Sequence, residues 1–290
     1  MAEITASLVK ELRDRTQLGM ADCKKALVEA DGDMDAAVRI LRERGAIKAA
    51  KRADRNATEG LVATAISADH KSAAMAQLNC ETDFVSRNDD FQILVKQIAE
   101  AGLKTKADSM DSILAAALPS GKTVKEEVED IAYRIGEKIE LGSYSYVQGE
   151  VVAGYIHPPG KIGVLVKADG KINAANAAQA SDELRRGVAM HVAAFAPRFL
   201  DATQVDAETL NQEREIYATQ LRNEGKPENM IENIVNGKVK SFYKDNCLVD
   251  QASAQDPKKT VAQVVTEIAK AAGGDLKLSG FVRTNIGSAN

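Results

Sequence analysis

The residues best suited to act on another molecule stand together in Asn79-Cys80-Glu81-Thr82-Asp83-Phe84-Val85-Ser86-Arg87. A large aromatic follows an acid there, in a chain with 4% aromatic residues and no tryptophan. An acid and an apolar ring held side by side would suit a probe pushed into another molecule. A strand-like run over 73–80 leads into the segment, and a helical pattern begins near Asp89. Thr82 has the type and place of an N-cap, its hydroxyl accepting the Phe84 or Val85 amide. Such a turn would hold Asp83 and Phe84 stiffly at the tip of a sheet. Spacing alone favours a plainer reading, with Phe84 in the core and Asp83 supporting the helix start, since rigid loops carry function only sometimes.

Covalent chemistry finds less support. Pro119-Ser120-Gly121-Lys122-Thr123 completes the last three positions of a phosphate-binding G-x-x-x-x-G-K-T loop. Its first glycine is replaced by Ala116, and 112–118 reads as alanine-rich helix rather than strand. Without that glycine and strand the loop cannot curl its amides around a phosphate, and Thr123 is better explained as a helix cap. The three histidines, His70, His157 and His191, stand in no metal-binding or nucleophile motif. His70 reads as exposed in a polar turn, His157 as a turn residue beside Pro158, and His191 as a hydrogen-bonded structural residue on the apolar side of a helix. The expectation is a protein with no catalytic residue, no metal site and no cofactor.

With 38 basic and 42 acidic residues the net charge is −4, which argues against a general nucleic-acid binder. At 290 residues and 44% hydrophobic content the chain can build two or three modest cores. Cys23, Cys80 and Cys247 are odd in number and far apart, as free buried thiols in a reducing compartment would be. No basic-then-apolar leader is seen, and no stretch nears the ~20 apolar residues of a membrane span. A cytoplasmic protein with neither a membrane nor a direct nucleic-acid partner is expected.

The positioning elements can be read in order. Residues 1–55 read as a helical module. Thr5 precedes a helix with Leu8 and Leu12 on one face, Gly19 breaks it, and a second helix over 21–30 turns Cys23, Ala26 and Leu27 inward. Asp31-Gly32-Asp33 is a turn, with Asp33 capping a third helix that carries Ala36, Ala37, Ile40 and Leu41 and ends near Gly45. Over 42–55 six basic residues face Glu43 and Asp54, a local net charge of +4. No aromatic is interleaved there to stack on bases, so the stretch reads as a solvated, flexible linker helix.

Strands follow over 61–67 and 72–80. Helices then read from Asp89 through Phe91, Leu94, Val95 and Ile98, over 108–118, and from a Thr123/Glu126 capping box to Gly136. A strand over 139–147 completes an α+β subdomain. A second unit of similar make-up has strands over 152–157 and 162–166, helices over 181–194 and through Val261 and Ile268, and a last strand over 276–283. Within it, helices over 208–223 and 228–244 meet at Gly225-Lys226-Pro227 as an antiparallel hairpin, with the narrow seam of a protruding coiled coil.

Thr82-Asp83-Phe84-Val85, preceded by Asn79 and Glu81, resembles the signature segment of the bacterial elongation factor Ts family. The opening Met1-Ala2-Glu3-Ile4-Thr5-Ala6 resembles it too, as do Gly19-Met20, Asp22-Cys23-Lys24-Lys25-Ala26-Leu27 and Gly45-Ala46-Ile47-Lys48-Ala49-Ala50-Lys51. Ile162-Gly163-Val164-Leu165-Val166 and Ala189-Met190-His191-Val192-Ala193-Ala194 follow in the family's order. The resemblance implies an α+β fold with an N-terminal UBA-like three-helix domain and linker (1–55) and a core N-subdomain (56–148). A core C-subdomain (149–204 and 246–290) would then be interrupted by a coiled-coil dimerisation hairpin (205–245), both core subdomains having antiparallel sheets.

The function implied is guanine nucleotide exchange on elongation factor Tu, with no covalent chemistry. In that mechanism Asp83 and Phe84 enter beside the partner's Mg²⁺ site and dislodge the ion, while Thr82 and Val85 hold them. Arg13, Met20 and His157 match further partner contacts. Ala21 stands where many members carry a second methionine, and Pro158 where many have glycine. Many members also continue through a turn into another helix, where Ile286-Gly287-Ser288-Ala289-Asn290 stops. A non-catalytic dimeric scaffold is the alternative function, and a phosphate-loop enzyme the remaining rival.

Overall fold

The computed structural model describes residues 3–16 and 18–287. The expected departure at the C-terminal end falls partly on 288–290, outside the described residues, as do Met1 and Ala2 of the opening segment. Twelve α-helices and six strands are found among the described residues, with two three-stranded sheets. Among the described residues two compact units are found, one within 3–63, 76–144 and 286–287, the other of 64–75 and 145–285.

In the first unit α1 (Ala6–Thr16), α2 (Met20–Glu29) and α3 (Met34–Ala50) bury Val9, Leu12, Cys23, Ala26, Leu27, Ala37 and Leu41 against one another. Asp33 caps α3 by accepting the Ala36 amide at 2.8 Å. The third helix does not end near Gly45. It runs on to Ala50, and what reads as a separate solvated linker is its second half and the turn after it. The reason is packing on a later helix. Gly45 lies close enough to Tyr133 that a Cβ would sit 3.4 Å from the ring, and the Lys48 ammonium stands 4.8 Å over it. Beyond α3, Arg52 is buried and donates to the Ala132 carbonyl at 3.2 Å, so this basic stretch is not wholly solvated.

Two strands follow, β1 (Glu59–Ile66) and β2 (Ser72–Cys80), then α4 (Asp83–Ser86), α5 (Asp89–Thr105), α6 (Met110–Leu114), α7 (Val124–Ile135) and β3 (Glu140–Gln148). The sheet order is β1-β2-β3. A central strand is covered on both faces, so β2 reads as a nearly unbroken run of buried residues, Ala73 to Leu78. His70, in the hairpin turn, has a left-handed backbone (φ 56) and is half-buried, with its Nδ1 out of reach of solvent. That corrects the reading of an exposed histidine: the turn folds its ring back on the protein.

The Pro119–Thr123 segment also differs from expectation. The helix before it stops at Leu114, and Ala117 forms an isolated antiparallel bridge with Thr123. Leu118 and Lys122 close the turn, with Gly121 at φ +82. Thr123 does cap α7 in a reciprocal box with Glu126, while the Lys122 ammonium is held by Asp130 at 2.5 Å. Both groups that would face a phosphate therefore have local partners.

The second unit carries β4 (Val151–His157), β5 (Ile162–Lys171), α8 (Ala177–Leu184), α9 (Met190–Phe195), α10 (Ala207–Asn223), α11 (Glu228–Asn246), α12 (Val261–Ala271) and β6 (Asp275–Asn285). Its antiparallel sheet runs β4-β5-β6. Helices α8, α9 and α12 cover one face, burying Val151, Val164, Leu184, Val192, Val265 and Leu278. The single helix expected over 181–194 has a π-helical segment, Arg185–Ala189, between α8 and α9. Gly187 lies in it, where an added Cβ would stand only 3.1 Å from Val264 Cγ1, so the segment lets α12 pack close. Helices α10 and α11 lie against each other and bury Leu221, Ile231, Val235 and Val239.

His191 is 1% exposed. Its Nδ1 accepts the Ala254 amide at 3.2 Å and its Nε2 stands 2.8 Å from Gln251 Oε1, so the neutral ring with hydrogen on Nε2 meets both partners. Burial holds its pKa below the ordinary 6.5. The folded state thus binds fewer protons than the unfolded chain, and the stability this contributes is full above 6.5 and lost as pH falls through the folded value. Between about pH 7 and 5.5, Tm should fall, and His191→Gln should flatten that slope; an unchanged slope in calorimetry would count against the assignment. Thr123→Ala should cost about 1 kcal/mol in urea unfolding, and labelled nucleotide should bind the isolated chain neither before nor after the change.

Candidate functional site

The site is the corner between β2 and α5. Cys80 closes the strand with a buried thiol that donates to the Thr82 carbonyl at 3.2 Å. Burial first, then the Glu137 and Glu59 carboxylates, push that thiol up to about 12, so it stays protonated and inert. The chain then passes through extended Thr82 into α4, a single turn of Asp83, Phe84, Val85 and Ser86. Asn88 stops that turn and starts α5, its side chain accepting the Asp90 amide at 2.9 Å.

Within the turn, successive side chains point about 100° apart, and burial divides them sharply. Val85 and Ser86 face inward and are buried, whereas Phe84 is 81% exposed. The plainer reading of Phe84 as a core residue is therefore corrected: Val85 takes the inward position, and the ring is left in water. Asp83 is half-buried beside it and pairs with Arg87 at 2.8 Å. Both members of that pair are well solvated, so it contributes little and leaves the carboxylate free to exchange partners.

Thr82 does not cap α4. No amide of the turn reaches its side chain, and its hydroxyl donates instead to Glu137 Oε1 at 2.7 Å. Glu137 Oε2 accepts the backbone amides of Glu81 and Thr82, each at 3.1 Å. Glu137 reaches this position because Gly136, at φ +89, ends α7 with a left-handed turn. In return, Glu81 accepts the Lys138 amide and Arg55 Nη1. The Lys138 amide above all, then Arg55 and the positive charge of Arg52, hold the Glu81 carboxyl below the usual carboxylate range. Lys138 Nζ donates to the Ala53 carbonyl at 3.0 Å, so three segments are stitched together here: 52–55, 80–83 and 136–138.

Thr82, Asp83, Phe84 and Val85 thus form one corner. The other expected contacts lie on separate elements. Arg13 is exposed on α1, Met20 opens α2 and is 45% exposed, and His157 is exposed at the end of β4. His157 Nδ1 shares a hydrogen bond with the Tyr155 hydroxyl at 3.0 Å, and its carbonyl accepts the Gly160 amide across the Pro158-Pro159 turn. Sequence reasoning missed Glu137, Lys138 and Arg55 at the corner. They stand 55 to 57 and 26 residues from their partners there, and the only local signal was a polar pair following a helix-ending glycine.

The corner thus presents an exposed ring beside a half-buried acid. The family described as "Elongation factor TS" matches residues 81–288. Elongation factor Ts from a Nitratiruptor species is 44% identical over 289 residues, covering 98% of this chain and 93% of that protein. Its counterparts from Clostridioides difficile and Clostridium tetani are each 43% identical, covering 99% and 97% of this chain and 94% and 92% of theirs. With its corner motif inside the matched region and similarity running over nearly its whole length, the chain belongs to the elongation factor Ts family.

Proposed function

We propose that this chain is a guanine nucleotide exchange factor that binds elongation factor Tu, in its GDP-bound and nucleotide-free states, and releases GDP by dislodging Mg²⁺ with Asp83 and Phe84. The observation that carries the reading is the 81% exposure of Phe84 on a turn whose next two residues are buried. A phenyl ring left in water forfeits roughly 2 kcal/mol of burial, which docking into a partner's pocket would recover. Membership of the family supports the choice of partner.

The physical task is to loosen a nucleotide whose phosphate charge is shared by backbone amides and Mg²⁺. A factor accomplishes this if its surface binds the magnesium-poor, empty state better than the loaded one. Phe84 acts as the apolar wedge, displacing side chains near the ion. Asp83 exchanges Arg87 for polar groups of the partner, and the lost cation leaves phosphate charge unneutralised. Coupling of this kind is reciprocal, so GDP weakens the factor's hold by the same ratio, and incoming GTP expels it.

Further surfaces complete the proposal. The self-contained cluster of α1–α3 supports reading 1–55 as a UBA-like docking domain with Arg13 and Met20 on its face. His157 is a third contact, falling in the C-subdomain of 149–204 and 246–290, with 56–148 read as the N-subdomain. The α10–α11 pair has its own apolar seam and exposes Ile216 and Met230, which supports a coiled-coil hairpin at 205–245 able to self-associate. Family membership supports a cytoplasmic place of work, and among the described residues no helix is long and apolar enough to cross a membrane.

The deciding measurement is release of fluorescent GDP from purified elongation factor Tu. The chain should accelerate it, and raised free Mg²⁺ should oppose the effect. Phe84→Ala should cost on the order of 2 kcal/mol in exchange, as an aromatic hot spot does, with Tm unchanged because the ring is exposed. A variant that loses Tm yet exchanges normally would return Phe84 to a structural role, and no acceleration by the native chain would leave the scaffold reading.

A further inference from the structure

The wedge residues are held from outside their own segment. We propose that Glu137, in the turn after α7, is the positioning residue of the corner: its carboxylate sets the angle at which Asp83 and Phe84 leave the sheet. The proposal rests on the exchange reading above.

Three donors converge on that carboxylate, the Glu81 amide, the Thr82 amide and the Thr82 hydroxyl, at 3.1, 3.1 and 2.7 Å. These are the last groups before α4 begins, so they fix where its first turn starts. The turn cannot do this for itself, because α4 is four residues long and lacks a side-chain cap. A one-turn helix is not stable alone, and its N-terminal amides need partners. An ionised acceptor makes stronger bonds than a neutral cap would, and one carboxylate receiving two successive amides restrains both peptide planes at once.

Glu137 is itself restrained. The next residue, Lys138, gives its amide to Glu81 and its ammonium to the Ala53 carbonyl and to Glu140 at 3.2 Å. The carboxylates of Glu81 and Glu137 therefore cross, each accepting backbone amides of the other's segment. On the far side of the turn, the buried Val85 keeps the mount from rolling. A ring entering a partner's pocket transmits force only if its base does not yield, and a misplacement of about 1 Å can reduce a rate about 100-fold.

The test compares saturation kinetics of stimulated GDP release for the native chain, Glu137→Ala, Glu137→Gln, Thr82→Val and Phe84→Ala, with Tm measured for each. Glu137→Ala should lower the maximal stimulated rate about tenfold or more, between the limits set by one lost bond and full misplacement. The half-saturating concentration should change less, because the remaining docking surfaces are untouched. Glu137→Gln retains an acceptor for the amides and should restore most of the rate. Thr82→Val removes one of the three bonds at nearly constant volume and should fall between them; it also serves if Glu137→Ala does not fold.

In the Phe84→Ala background, loss of the carboxylate should cost markedly less than in the native chain, since only Asp83 is left to aim. Full additivity of the two substitutions, or a rate that merely follows Tm, would overturn the positioning role. If Phe84→Ala itself leaves exchange unchanged, the wedge reading fails instead, and the two failures are told apart by that single variant.

Discussion

A folding chain gains free energy by tucking an apolar ring out of water, and the architecture around the corner works against that tendency at one residue. In a single helical turn, Phe84, Val85 and Ser86 cannot all face the core, because adjacent side chains diverge by about 100°. Val85 and Ser86 hold the inward positions, so rotating Phe84 inward would push Ser86 out. The roughly 2 kcal/mol forfeited by the exposed ring is offset by a charge-assisted network anchored on two carboxylates. The result is an unburied ring on a turn held by hydrogen bonds from a distant segment.

The rest of the first unit explains why the mount is stiff. Strand β2 lies between β1 and β3 and is buried along nearly its whole length, so the corner grows from a central strand rather than a frayed edge. Helix α7 ends where its glycine turns the chain toward the corner. The turn after α3 is tied to the same place through Arg52, Ala53 and Arg55. The phosphate-loop-like turn at 118–123 serves this scaffold too: Lys122 and Thr123 commit their polar groups to α7, which carries Glu137 at its end.

The second unit is built differently. Its helices achieve close packing on β4-β5-β6 by a π-helical segment at Gly187, and its one buried histidine is kept neutral by burial and satisfied on both nitrogens. That histidine stacks on Phe195 at 4.6 Å, an ordering contact rather than a reactive one. Three thiols are buried as well, and burial raises the pKa of two of them, Cys80 and Cys247.

Much of this was readable from local pattern. The strands around 61–80, the Thr123–Glu126 box, the inward Cys23 and Leu27, the hairpin at Gly225-Lys226-Pro227 and the Thr82–Val85 motif all depend on neighbours within a few residues, where periodicity and capping rules act. Errors arose where distant packing overruled a local signal. Gly45 invites a helix end, yet Tyr133 holds α3 in register past it; the alanines at 115–117 favour helix, yet Ala117 pairs with Thr123. Thr82 has the sequence of a cap, but an acceptor 55 residues away claims its hydroxyl. Which of Phe84 and Val85 faces water depended on the rotation of one short turn, flanked by hydrogen bonds to a segment 55 to 57 residues away that no spacing rule encodes.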